Sequence, residues 1–265
     1  MSAAAADGAS AVAVIGGARA SPLLLACEHA ANHLPPAFGT LGLADGELKR
    51  HIAWDPGALP VAEGIARRLD ATLIASTVSR LVVDCNRPLD APDLIAELSE
   101  TTPIPGNVGL SEGERRRRVD LAWRPFHETV ERLIDQRLAQ GRPLCMVTIH
   151  SFTPTWKGVA RPWHVGVIHD ADERMSAPLI AGLCAEGGLV VGDNQPYSPA
   201  DRVYFTLERH ARPRGLPCAM IEIRNDLIAD AAGQDAWAER LARLLAPIVA
   251  DMSVAARPTE RVRHA

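Results

Sequence analysis

Residues 23–29 read Leu-Leu-Leu-Ala-Cys-Glu-His, an apolar run that stops on a charged residue and a histidine. A continuous apolar run of this kind predicts a strand that is buried on both faces, as in a parallel sheet covered by helices. A second run of the same form, Met-Val-Thr-Ile-His-Ser at residues 146–151, also leads into a histidine. Both predicted strands therefore deliver a histidine to the carboxyl edge of one sheet, where open α/β proteins bind ligands.

The rest of the chain alternates between apolar runs and segments with helical spacing. Strands are predicted at residues 72–75, 81–83, 144–149, 165–168, 189–191 and 217–223. Helices are predicted to begin at Asp55-Pro56, to run from Ser111 to about Gln140 with a kink or break at Pro125, and to cover 177–185 and 235–252. This alternation indicates an α/β fold around a mainly parallel sheet. Because no clear linker interrupts it, residues 1–265 are predicted to form one domain, with residues 1–20 and 256–265 flexible.

The composition limits the classes of partner. The chain has 265 residues and a formal net charge of −4, which favours neither nucleic acid nor an anionic membrane. No segment reaches membrane-spanning length, and the apolar stretch at residues 11–15 is too short for a signal peptide. The 5 cysteines are scattered and form no CxxC unit, which argues against a zinc finger and fits a reducing compartment. We therefore expect a cytoplasmic protein.

Three residues form the predicted metal site, namely His29, Asp55 and His150. Asp55 lies within His-Ile-Ala-Trp-Asp-Pro-Gly-Ala at residues 51–58. Two histidines and one carboxylate are a common catalytic zinc set, because they leave one position open for water. Another divalent metal is an alternative. Each residue also has a simpler interpretation, since Asp is a good helix N-cap and a histidine at a strand end can be a satisfied polar residue. Two nearby residues are alternative ligands: Glu28 and His33.

A late acid is the predicted general base. Glu222 lies in the apolar run Met-Ile-Glu-Ile-Arg, residues 220–224. Burying a charged carboxylate is costly unless it has a partner, so a glutamate in such a run suggests a function. Beside a metal, a carboxylate takes a proton from water and delivers it to a leaving nitrogen. The simpler interpretation is an ion pair with Arg224, which shares a face of the strand at i+2.

Several polar side chains are predicted to bind an acidic substrate. A guanidinium group holds a carboxylate in bidentate fashion, so arginines near the predicted sheet edge are the first candidates. The simpler interpretation is an Arg–Asp network that braces the sheet, which for Arg80 is nearly as good an explanation. The loop residues among the candidates also suit turns or packing. The predicted substrate-binding residues are Arg80, Asn86, Arg87, Arg224, Asn194 and His210.

Taken together, these motifs resemble the N-formylglutamate amidohydrolase family. The resemblance follows, in order, Cys-Glu-His-Ala-Ala-Asn-His-Leu-Pro (27–35), His-Ile-Ala-Trp-Asp-Pro-Gly-Ala (51–58), Ser-Arg-Leu-Val-Val-Asp-Cys-Asn-Arg-Pro (79–88), Ile-Pro-Gly-Asn (104–107), Ile-His-Ser-Phe-Thr-Pro (149–154), Arg-Pro-Trp-His (161–164), Asp-Asn-Gln-Pro-Tyr (193–197) and Ile-Glu-Ile-Arg-Asn-Asp (221–226). It covers roughly residues 22–245, and so many motifs in one order are specific for a family.

The resemblance implies a three-layer α/β/α sandwich around a mainly parallel, mixed sheet, similar to zinc carboxypeptidases. It also implies a zinc amidohydrolase that cleaves an N-formyl or other N-acyl acidic amino acid, with N-formylglutamate in histidine degradation as the leading substrate. By this resemblance His29, Asp55 and His150 hold zinc and Glu222 is the base. An aspartate as the acidic ligand departs from the wider group of zinc amidases, which has glutamate.

Two other functions fit the same residues. One is a zinc amidase of the same layout that acts on another N-acyl amino acid or on a cell-wall amide. The other is a non-catalytic protein that uses this fold to bind an acidic metabolite. The expected partner is in each case a small molecule or a wall amide, and the oligomeric state is left open.

Overall fold

The structure is a computed structural model that describes residues 10–17 and 19–255. In chain order, the strands are β1 Val12–Ile15, β2 Leu23–Cys27, β3 Thr72–Ser76, β4 Leu98–Ser99, β5 Thr102–Pro103, β6 Cys145–Phe152, β7 Thr155–Trp156, β8 Val159–Ala160, β9 Val165–Ile168, β10 Val191–Asp193 and β11 Cys218–Arg224. The α-helices are α1 Ala58–Arg68, α2 Glu112–Arg118, α3 Arg124–Ala139, α4 Ser176–Ala185, α5 Phe205–His210 and α6 Ala231–Ala255.

One mixed sheet organises the described residues, in the strand order β1-β3-β2-β6-β11-β9-β10. Its centre is parallel, because β2 pairs in parallel with both β3 and β6, and β6 pairs in parallel with β11. β1 is antiparallel to β3, and β9 is antiparallel to β11. The parallel centre places the ends of β2, β6 and β11 at the same edge of the sheet.

Helices cover both faces of this sheet, which gives the α/β/α sandwich that the resemblance implied. On one face, Leu23 and Leu25 of β2 lie in a buried cluster with residues of α1, α4 and α6. On the other face, Leu24 and Ala26 pack with residues of α3 and α5. β2 is therefore apolar on both sides because both sides are covered, as expected for a central parallel strand.

Two predicted elements are wrong in ways that affect the site. Residues 81–83 form turns and coil instead of a strand. The helix after Asp55 begins only at Ala58, and its N-cap is Gly57 with a φ of 82°. Asp55 is therefore not a helix cap, and its carboxylate is available for other partners.

Smaller differences concern the ends and the long helix. Within residues 1–20, for which flexibility was predicted, Val12–Ile15 form the edge strand β1 against β3. Residues 1–9, 18 and 256–265 lie outside the described part of the chain, and so does the prediction made for them. The predicted helix to Gln140 is interrupted by a π-helical turn at Val119–Trp123, just before Pro125. Among the described helices, none is long and apolar enough to cross a membrane.

Candidate metal centre and substrate cavity

The three predicted metal ligands meet at the carboxyl edge of the sheet. His29 follows β2 by two residues, and its backbone oxygen accepts a hydrogen bond from the Asp55 backbone N–H at 2.9 Å. This bond ties the loop before α1 to the end of β2. His150 lies in β6, the neighbour of β2. One donor atom from each of His29, Asp55 and His150 lies within 4.8 Å of the others, and all three residues are buried.

Both histidines present Nδ1 to the Asp55 carboxylate. His150 Nδ1 lies 2.9 Å from Asp55 Oδ2, and His29 Nδ1 lies 3.4 Å from the same oxygen. The other ring nitrogens face second carboxylates, with His29 Nε2 at 2.7 Å from Asp84 Oδ1 and His150 Nε2 at 3.0 Å from Glu28 Oε2. A carboxylate behind a histidine fixes its tautomer and turns the lone pair of the other nitrogen inward, as in many metal sites.

This arrangement fits a bound divalent cation. With Nε2 protonated towards Glu28, His150 Nδ1 carries a lone pair that faces a carboxylate oxygen at 2.9 Å, so a proton or a cation must lie between them. Asp55 Oδ1 is buried and makes no hydrogen bond within the described residues. Two imidazole nitrogens and a carboxylate are also the donor types that zinc prefers. These residues can therefore hold a metal ion.

The charges around Asp55 keep it ionised. Burial alone would raise the pKa of this carboxyl, but His29, Arg80 and the hydrogen bond from His150 outweigh burial and hold its pKa well below the ordinary value. The pKa of His150 is raised well above its ordinary value in spite of burial, because the Glu28 and Asp55 carboxylates favour the imidazolium. Both shifts reflect a centre that attracts positive charge.

Glu222 lies next to the candidate metal centre. In the parallel pairing of β11 with β6, Glu222 is the register partner of His150. Its Oε2 atom is buried and makes no hydrogen bond within the described part of the chain. Burial raises the pKa of Glu222 to about 7, with Asp55 adding to the rise and His150 opposing it. A carboxyl group with this pKa exchanges protons readily near neutral pH.

The triad and Glu222 lie on the wall of a cavity of about 840 Å³. This volume is in the range of small-molecule sites. The cavity extends from the sheet edge to the hairpins β4–β5 and β7–β8, where Leu98, Glu100, Trp156 and Lys157 line it. The two hairpins meet at their turns, since the Lys157 backbone N–H donates to Glu100 Oε1 at 3.3 Å.

The predicted substrate-binding residues of the segment 79–88 do line this cavity. Arg80 lies closest to the centre, with Nη1 at 3.1 Å from His29 Nδ1 and 3.4 Å from Asp55 Oδ1. Arg87 donates to Asp93 and to the backbone oxygen of Arg202. The Asn86 side chain is used internally, donating to the Val203 oxygen and accepting from the Thr206 N–H. Asn86 therefore joins its loop to α5.

Other predicted substrate-binding residues lie elsewhere. Asn194 and His210 do not line the cavity. Asn194 Oδ1 accepts from the His169 backbone N–H, and His210 Nε2 lies 2.8 Å from His127 Nδ1 in the buried layer beneath α5. Arg224 is also absent from the cavity wall and pairs with Asp226 at 2.8 Å, so it is not the ion-pair partner of Glu222.

Comparison with known sequences decides the family. The sequence model described as N-formylglutamate amidohydrolase matches residues 21–229. The match contains the triad, Glu222 and the segment 79–88. The chain belongs to the N-formylglutamate amidohydrolase family.

Curated relatives agree with this assignment, and a solved structure shares the fold over almost the whole chain. The N-formylglutamate deformylase of Pseudomonas putida is 29% identical over 62% of this chain and 66% of its own length. The deformylase of Pseudomonas aeruginosa is 29% identical over 41% of this chain and 44% of its own length, so both alignments span less than two thirds of the relative. The crystal structure of gene product Atu2144 from Agrobacterium tumefaciens is 45% identical, with a TM-score of 0.89 over 92% of this chain and 96% of its own.

A more distant structure shares the fold alone. The N-formylglutamate amidohydrolase of Ralstonia eutropha JMP134 has a TM-score of 0.67 at 21% identity, over 93% of this chain and 100% of its own.

Some residues of this family member were missed by sequence reasoning. His51 was not among the predicted site residues, yet a turn at residues 51–54 brings His51 Nδ1 to 3.3 Å from Asp55 Oδ1. Burial, with Arg80 nearby, lowers the pKa of His51 to about 3, so its ring is neutral. Asp84, which lies 2.7 Å from His29 Nε2, was not among the predicted site residues either. Its signal was a lone carboxylate directly after an apolar run, but its partner is 55 residues away in the sequence.

Proposed function

We propose that this family member hydrolyses the amide of an N-formyl, or other N-acyl, acidic amino acid, with zinc held by His29, Asp55 and His150. The best substrate is N-formylglutamate, which yields formate and glutamate. The observation that carries this proposal is the juxtaposition of a buried His/Asp/His triad with a strand glutamate whose register partner is His150. Cytoplasmic location and a part in histidine degradation stay predictions.

The chemistry divides between the metal and the protein. When bound, zinc supplies Lewis acidity, which activates water and polarises an amide carbonyl. Glu222 takes a proton from the attacking water, as the oxygen adds to the acyl carbon, and gives that proton to the amine nitrogen as the C–N bond breaks. Its pKa of about 7 suits both steps at neutral pH.

The neighbours of the triad hold its ligands in place. Asp84 accepts the ring N–H of His29, and the Glu28 carboxylate lies 3.0 Å from His150 Nε2, so that each Nδ1 keeps its lone pair towards the centre. Arg80 is the proposed group for the substrate α-carboxylate, because that carboxylate is bonded to the carbon that bears the scissile amide. Arg87 supports it from the same cavity wall. Arg224, Asn194 and His210 have protein partners and no proposed contact with substrate.

The decisive experiment measures formate release from N-formylglutamate by the zinc-loaded protein, alongside its metal content. We expect about one zinc per chain and turnover in the wild type. Glu222→Gln should retain the metal and lose at least about a thousandfold in kcat, since it removes the only proposed proton carrier.

A matched substitution separates this effect from a general loss of charge. Glu239 lies on the exposed side of α6, and Glu239→Gln should leave turnover unchanged. Substantial turnover by Glu222→Gln would reject Glu222 as the base. Zinc binding without hydrolysis of any N-acyl acidic amino acid would reject the proposed substrate class.

A further inference from the structure

Arg161 is a buried cation in an aromatic setting beside two residues of the cavity wall. It follows the hairpin β7–β8, and its backbone N–H donates to the Pro154 oxygen at 2.8 Å. Its guanidinium carbon lies 5.7 Å from the ring centroid of Phe152, 5.1 Å from Trp156 and 4.9 Å from Tyr197. Trp156 and Tyr197 line the cavity, and Arg161 lies against these two rings without lining the cavity itself.

The charge of Arg161 has no counter-charge in the described part of the chain. Arg161 is only 9% exposed, it forms no ion pair there with a carboxylate, and its buried Nη1 makes no hydrogen bond. The other arginines near the cavity differ, since Arg80 lies beside Asp55, Arg87 beside Asp93 and Arg224 beside Asp226. A buried charge without a partner is costly, and aromatic faces compensate for it only in part.

An anion from outside the chain would complete this site, and the cavity is where it would come from. We infer that Arg161 is the specificity-determining residue that receives the side-chain carboxylate of the substrate, between the rings of Trp156 and Tyr197. This inference rests on the proposed function. The α-carboxylate stays near the scissile amide and Arg80, whereas the side-chain carboxylate lies further along the substrate, towards the hairpin β7–β8 that precedes Arg161.

The physical reason for selectivity is that a neutral side chain would leave Arg161 unpaired. Binding an acid there gives the guanidinium a counter-charge, whereas an amide in its place provides no charge. The site should therefore favour N-formylglutamate over N-formylglutamine.

The test compares these two substrates in zinc-loaded wild type and in Arg161→Gln. Loss of the guanidinium should reduce kcat/KM for N-formylglutamate by roughly a hundredfold, the usual scale for losing a buried charge partner, and leave N-formylglutamine within about twofold. Arg161→Lys keeps the cation without the planar fork and should retain part of the preference. An equal loss on both substrates would show a merely structural role, and no loss would also overturn the inference.

A matched arginine and a binding measurement keep the result distinct from the proposed activity. Arg209 also lies over an aromatic ring, at 5.1 Å from the Trp123 centroid, and Arg209→Gln should leave the substrate preference intact. If the wild type hydrolyses neither substrate, the proposed function fails and calorimetry with glutarate and its monoamide still tests the site. Tighter binding of glutarate that disappears in Arg161→Gln supports the inference, and the same preference in both proteins overturns it.

Discussion

At the residue scale, the candidate metal centre depends on which nitrogen of each histidine faces inward. A free imidazole at a strand end could present either nitrogen. Here Asp84 stands 2.7 Å behind His29 and Glu28 stands 3.0 Å behind His150, so both rings are oriented from the protein side. Removing a partner of this kind typically lowers metal affinity by roughly 10–100-fold.

We therefore expect Glu28→Gln and Asp84→Asn each to weaken zinc binding by roughly 10–100-fold, measured by competition with a chromophoric chelator. A matched control is Asp193→Asn, which removes a carboxylate 2.8 Å from His169 Nε2, a histidine outside the triad. That control should bind zinc like the wild type. Unchanged affinity in Glu28→Gln and Asp84→Asn would mean that the rings are held by packing alone.

Glu222 should also affect stability in the metal-free protein. Burial raises its pKa from 4.5 to about 7, so its stabilising contribution is complete below pH 4.5 and is lost as pH rises through about 7. Ionising the buried group costs on the order of 3 kcal/mol at most. Glu222→Gln, which cannot ionise, should therefore stabilise the chelator-treated protein at pH 8 relative to wild type, but not at pH 4.5.

The measurement is the difference in free energy of unfolding between Glu222→Gln and wild type, by denaturant titration at both pH values in the presence of a chelator. Glu239→Gln serves as the control for loss of a carboxylate at an exposed position of α6. A Glu222→Gln difference that is the same at pH 4.5 and pH 8 would contradict the raised pKa.

Sequence reasoning reached His29, Asp55 and His150 because each stands beside an unmistakable local signal, a strand end or an Asp-Pro-Gly turn. It could not reach the pairings behind them, since Glu28 and Asp84 find their histidines only through the order of strands in the sheet. Asn194 and His210 were predicted to bind substrate, but neither residue lines the cavity. Their side chains bond to other groups within the protein. The sequence gives no sign of whether such a polar residue will contact substrate or a protein group.

At the scale of single elements, the turn between His51 and Ala58 determines where Asp55 points. Asp55-Pro56 has the composition of a helix start, which is why a helix was predicted there. Gly57 instead adopts a φ of 82°, a conformation that suits glycine, and the helix begins one residue later. The delay turns the Asp55 carboxylate towards His150 and the Ser151 backbone N–H, instead of towards the helix N-terminus.

Gly57→Ala is thus expected to damage both stability and metal binding. A Cβ at this position would lie 2.3 Å from the Ile228 backbone oxygen, and the φ of 82° disfavours any side chain. We expect a loss of roughly 2–4 kcal/mol in the free energy of unfolding and a clear loss of zinc affinity, because the turn must move and take Asp55 with it.

The matched control is Gly109→Ala, at a φ of 67° with no atom within 4 Å of the added Cβ. It should cost about 1–2 kcal/mol and leave zinc affinity unchanged. Equal zinc affinity in the two variants would mean that Asp55 does not depend on the turn.

At the scale of the whole molecule, the site assembles segments that only the sheet brings together. The ligands come from the end of β2, the loop before α1 and the strand β6, and Glu222 comes from β11 near the end of the chain. The order of strands could be expected in outline from the alternation of elements, but not in detail. The antiparallel pairings of β9 with β11 and of β1 with β3 were not predictable, because short apolar runs carry no signal for strand direction.

A metal that binds across such segments stabilises the folded protein against the unfolded chain. At a free zinc concentration about 100 times the Kd, the stabilisation is about 2.7 kcal/mol, which corresponds to a rise in Tm of roughly 5–10 °C for a chain of this size. We therefore expect zinc to raise the Tm of chelator-treated protein by this amount in differential scanning calorimetry, and His150→Ala to abolish the rise. His169→Ala, which removes a histidine outside the triad, should keep it. In His150→Ala only two of the three ligands remain, and two ligands cannot hold the ion at comparable affinity. The same rise in Tm in this variant would therefore mean that zinc binds at another place.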